Sequence, residues 1–75
     1  MGMKPRPRTW VAWFHNRTDS RDDEPYRVKA RTREEASQLA FEAMPIGRFT
    51  MGHVYTLQEF YEWQPEWRWI WSKKR

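Results

Sequence analysis

The sequence predicts an α+β fold: one small antiparallel sheet, in the order β-β-α-β-β, with a single helix packed on one face. Three observations predict it. Two N-terminal segments are rich in β-branched and aromatic residues, and the second alternates strictly. A capped, alanine-rich segment with helical spacing follows them. Aromatic residues at alternating positions then run through the C-terminal third.

Residues 1–8 contain Lys4-Pro5-Arg6-Pro7-Arg8. Two prolines remove two amide donors and favour an extended chain, so a basic, flexible tail is expected. Residues 9–15, Thr-Trp-Val-Ala-Trp-Phe-His, are strand formers that are apolar on both faces, which predicts a central strand. The polar run from Asn16 to Pro25 has the composition of a long hairpin loop. In residues 26–31, Tyr26, Val28 and Ala30 alternate with Arg27, Lys29 and Arg31, the pattern of a half-buried strand with a basic outer row.

Thr32-Arg33-Glu34-Glu35 reads as a capping box opening a helix, with Ala36, Leu39, Ala40, Ala43 and Met44 on one stripe. Pro45 and Gly47 are expected to stop it. From His53 to Gln64 two periods compete. Alternation favours a strand, whereas Thr56-Leu57-Gln58-Glu59 is a second capping box; the strand is the favoured reading. Gln64-Pro65-Glu66 is a turn, and Trp67, Trp69 and Trp71 alternate in a last strand. The expected organisation is a tail at 1–8, one domain at 9–72 and a basic tail at 73–75.

A domain of 75 residues buries only about 60% of its unfolded surface. With no cysteine there is neither a disulfide framework nor a thiolate metal site, so its stability rests on 6 Trp, 3 Tyr and 4 Phe. The net charge of +4 belongs to the ends: Lys4, Arg6, Arg8, Lys73, Lys74 and Arg75 exceed the whole excess, and residues 9–72 are slightly acidic. No stretch approaches the roughly 20 apolar residues of a membrane span, and no signal-peptide core follows the basic N-terminus. A cytoplasmic location is the expectation.

Catalytic patterns are missing. His15 and His53 stand alone, the acidic run Asp19, Asp22, Asp23, Glu24 lacks calcium-loop spacing, and Ser20, Ser37 and Ser72 lie in no nucleophile turn. No enzyme activity, metal or cofactor is expected. Two features stand out instead. The basic row Arg27, Lys29, Arg31, with Arg33 at the helix start, has the chemistry to follow a phosphate backbone while aromatic rings stack on bases. The alternative is a solubilising outer row. The second feature is the aromatic content, more than one alanine-rich helix can cover. Trp67, Trp69, Trp71, Arg68 and Tyr61 are the expected partner-binding residues, because Trp, Tyr and Arg dominate binding hot spots.

The segment Tyr26-Arg27-Val28-Lys29-Ala30-Arg31-Thr32-Arg33-Glu34-Glu35-Ala36, continuing to Leu39-Ala40, resembles the strand-into-helix step common in small phage and mobile-element proteins. It covers about a quarter of the chain. The resemblance implies a compact protein that blocks host machinery stoichiometrically, as anti-CRISPR proteins and transcription inhibitors do. The leading expectation is therefore a non-enzymatic inhibitor that binds a host protein, one that itself handles nucleic acid. Direct DNA or RNA binding is the alternative. Membrane-interface binding through the Trp/Arg-rich C-terminus, residues 67–75, comes third. An exposed edge strand carrying Trp would also suit a homodimer.

Overall fold

The computed structural model describes residues 6–19, 21, 23–44 and 47–73. Most of the two expected tails (residues 1–5, 74 and 75), together with Ser20, Asp22, Pro45 and Ile46, lies outside the described residues. Three antiparallel strands and three helices follow one another as β-β-α-β-α-α: β1 (Arg8–Asn16), β2 (Glu24–Ala30), α1 (Arg33–Ala43), β3 (Phe49–Thr56), α2 (Leu57–Trp63) and α3 (Glu66–Ser72). The mixed α and β content is as expected. The order is not: α2 replaces the later part of the strand expected from His53 to Gln64, and α3 replaces the expected last strand.

The sheet order is β2-β1-β3. β1 is central, as its two apolar faces require. On one face Trp10, Ala12 and Phe14 join Ala30, Val54 and the α1 residues Ala36 and Ala40 in a buried core, with Tyr26, Val28, Met44, Phe49 and Met51 around it. Alanine in α1 lets the helix sit close to the strands, so Trp10 and Phe14 supply most of the apolar area. Trp10 also donates its indole N–H to the Ala30 carbonyl at 2.9 Å.

The α1 cap forms with one change. Thr32 Oγ1 accepts from the Glu35 amide at 3.1 Å, but the Glu35 carboxylate reaches one residue further back, to the amide of Arg31 at 2.7 Å. Helix geometry ends at Ala43, and Gly47 turns the chain with φ of 97°. Only glycine adopts that conformation without strain.

β3 pairs with β1 through an irregularity, in which Ala12 opposes Val54 while Phe14 opposes Met51. The bulge puts Gly52 and His53 opposite Trp13. At Gly52 an added Cβ would lie 2.7 Å from His15 Nε2 and 3.1 Å from the Trp13 carbonyl, so a side chain there would crowd the strand it pairs with.

The second sheet face explains the aromatic content. Val11 and Trp13 project from it, and α2 and α3 cover it. Instead of a sheet with one bare face, the protein is a three-layer arrangement with helices on both sides.

Candidate functional site

The 53–64 region is decided by the cap. Thr56 Oγ1 accepts from the Glu59 amide at 3.1 Å, and the Glu59 carboxylate accepts from the Thr56 amide at 2.9 Å. Two of the orphan amides at the start of α2 are thereby satisfied. The helix that follows drives Phe60 onto the second sheet face, where it is fully buried. A strand would have left Phe60 on the opposite side from Tyr55 and Tyr61.

Phe60 is the centre of an aromatic cluster. Its ring lies 6.0 Å from Trp13, 6.4 Å from Tyr55 and 6.2 Å from Trp63 on one side. On the other it meets Trp67 at 6.3 Å and Trp71 at 5.4 Å. Trp63 stacks on Tyr55 and meets Trp13 edge-on, both at 5.2 Å. Tyr61 joins it at 6.3 Å from Phe60 and 6.1 Å from Trp71, and two guanidiniums lie against its rings, Arg68 on Tyr61 and Arg27 on Trp71, the latter 4.3 Å from the ring centre.

These contacts sort the expected partner-binding residues. The predicted last strand is the helix α3, so Trp67 and Trp71, four residues apart, share its inner face and turn onto Phe60. The edge strand expected to carry Trp into a homodimer therefore does not exist. Trp69 points away and is 70% exposed, beside a 40% exposed Ile70. Arg68 is exposed, and its guanidinium lies 4.9 Å from the ring centre of the half-buried Tyr61.

Tyr61, Arg68 and Trp69 come together on one feature, an open groove of about 820 Å³ between α2 and α3. Leu57, Gln58 and Glu62 complete its α2 side, and Pro65, between the two helices in sequence, also lines it. The sequence reading missed these four. The second capping box was the signal for them, since it fixes the helical phase that puts Leu57, Gln58, Tyr61 and Glu62 on one surface.

The basic residues are divided. Arg27 and Lys29 share the second sheet face, but Arg27 is engaged with Trp71. Lys29 is exposed, lining a shallow depression with Thr9, Arg27 and Val28. Arg31 lies past the end of β2 and is exposed. Arg33 belongs to the other face. Its guanidinium lies 5.2 Å from the Trp10 ring centre, pairs with Glu59 at 3.5 Å and donates to the Val54 carbonyl. The four cations do not form one continuous row.

The hydrogen bond from the Thr56 amide, helped by Arg33, holds the Glu59 carboxyl below its ordinary value of 4.5. Asp23 is likewise lowered, first by the amide of Asn16 and then by His15, whose Nδ1 lies 3.0 Å away. A carboxyl with a lowered folded-state pKa stabilises the fold above its unfolded value, and that contribution is lost as the pH falls through the folded value. Glu59→Gln is therefore expected to cost stability at neutral pH and to flatten part of the decline below about pH 4.5, to which Asp19 and Asp23 also contribute. Thr56→Ala should cost about 1 kcal/mol at any pH. Urea midpoints measured from neutral to acidic pH check both; an unchanged acid decline in Glu59→Gln would remove Glu59 from the account.

Among the described residues no three His, Asp or Glu side chains gather where they could hold a metal ion, and no helix is long and apolar enough to cross a membrane. No protein-family model matches the chain, and no curated protein or solved structure shows significant similarity to it.

Proposed function

We propose that this chain is a non-enzymatic binding protein that acts by stoichiometric docking on another protein, with the α2–α3 groove as its docking face. One observation carries the reading: α3 is aromatic on both sides. Trp67 and Trp71 face the core while Trp69 and Ile70 face outward. An exposed Trp beside an exposed Ile on a short helix whose inner face is already packed against Phe60 is an apolar patch suited to being covered. The groove beside Trp69 offers what protein hot spots use, an indole, a phenol and a guanidinium, together with Leu57 and Pro65.

Inhibition of a host protein by a phage-type factor is the specific form we favour. The strand-into-helix step from Tyr26 through Ala40 supports it. The chain departs from that resemblance after β3, where two helices replace a strand or hairpin.

Direct nucleic-acid binding is the second reading, and the exposed Lys29 and Arg31 favour it. The test is capture by the immobilised chain at physiological salt, with and without nuclease. Capture that survives nuclease, is kept in Lys29→Ala and is weakened roughly 30-fold or more in Trp69→Ala supports docking through the groove. Capture that nuclease abolishes, or that Trp69→Ala leaves intact, overturns it.

A further inference from the structure

We propose that a second copy of this chain fills the α2–α3 groove, forming a two-fold symmetric dimer in which Glu62 of each copy faces Arg68 of the other. The proposal rests on the reading of the groove as a docking face and names its occupant.

A two-fold interface presents the same surface from both sides, so that surface must be complementary to itself. The groove meets this condition. Its α2 side carries Glu62, its α3 side carries Arg68, and Leu57, Tyr61, Pro65 and Trp69 supply the apolar part of its lining. A two-fold axis running along the groove brings the acidic side of each copy onto the basic side of the other. Among the described residues neither Glu62 nor Arg68 has an ion-pair partner within its own chain. The contact between Arg68 and Tyr61 already holds the cation against the α2 side of the groove. Trp69, at the rim of its own groove, supplies the indole that enters the other, and about 820 Å³ of open groove has ample room for it.

The geometry also sets the strength. α2 and α3 have seven residues each, so each is only about 10 Å long. Their joint outer surface falls at the small end of specific interfaces, and self-affinity in the micromolar range is expected. Self-association then competes with any other protein for the same surface.

Sedimentation velocity over the micromolar range at physiological salt tests this. The wild-type chain should pass from monomer to dimer as concentration rises, and Trp69→Ala should stay monomeric. Glu62→Arg and Arg68→Glu should each weaken the dimer about tenfold or more, because like charges then face each other twice. Mixing E62R with R68E should restore dimers, since one member then carries cations at both positions and the other carboxylates. All three positions are exposed or line the open groove, and unchanged circular dichroism confirms that the variants fold. A wild-type chain that stays monomeric overturns the proposal, as does a dimer that all three substitutions leave intact or a mixture that fails to re-form it. If the chain is monomeric and Trp69→Ala still abolishes capture of another protein, the second copy is excluded while the docking face stands.

Discussion

Phe60→Ala is expected to unfold the C-terminal half of the protein or to bring the whole chain close to its unfolding midpoint. Truncating a buried phenylalanine costs about 3–5 kcal/mol. At roughly 0.05–0.15 kcal/mol per residue, a chain this long has about 4–11 kcal/mol in total. Phe60 is completely buried and touches the rings of Trp13, Tyr55, Trp63, Trp67 and Trp71. α3 depends on it, having no buried residue of its own and no side-chain cap at Pro65. A seven-residue helix is not stable in isolation. Phe60→Leu, which keeps most of the volume, should cost less than about 1.5 kcal/mol. Urea unfolding followed by tryptophan emission and near-ultraviolet circular dichroism measures both. A Phe60→Ala midpoint within error of wild type would mean that the cluster does not hold α2 and α3 on the sheet.

Trp10→Ala is expected to be equally damaging, through the opposite face. Trp10 is the largest side chain beneath α1, and its loss should again cost about 3–5 kcal/mol. Trp10→Phe separates packing from polarity. It keeps an aromatic ring but leaves the Ala30 carbonyl, on a buried residue, without its indole donor, at a cost of about 1–3 kcal/mol. Trp10 also carries the Arg33 guanidinium on its ring, so both substitutions loosen the start of α1. Amide hydrogen exchange in α1 should rise more in Trp10→Ala than in Trp10→Phe. Equal stability of Trp10→Phe and wild type would show that the Ala30 carbonyl finds another donor.

The N-terminal half was legible because each element carried two agreeing signals. β1 had β-branched and aromatic composition together with apolar residues on both faces, and that marked it as central. β2 alternated strictly, and α1 had Thr32 and Glu35 at cap spacing ahead of an alanine stripe. The C-terminal half carried conflicting signals. His53, Tyr55, Leu57, Tyr61 and Trp63 alternate, yet Thr56 and Glu59 cap a helix, and burial of Phe60 decided for the helix. Trp67, Trp69 and Trp71 have a two-residue spacing, but the outer pair are also four residues apart. Contacts with Phe60 in the preceding helix and with Arg27, distant in sequence, select the helical period. Of the candidate site, Tyr61, Arg68 and Trp69 were visible as residue types suited to binding. Leu57, Gln58, Glu62 and Pro65 were not, because on a strand they would fall on different faces.

The central place of β1 has a consequence for the order in which the chain assembles. Its hairpin with β2, followed by α1, draws on residues 8–43 and gathers Trp10, Ala12, Phe14, Ala30, Ala36 and Ala40 on one face, which Val54 of β3 later completes. Pairing with β3 joins Trp10 to Thr56, a long loop to close. Until residues 49–71 arrive, Val11 and Trp13 face water, and during synthesis from the N-terminus that interval is unavoidable. The half-assembled chain is thus a folded hairpin and helix with one sticky side, and the last three elements act as a lid that the growing polypeptide brings to itself.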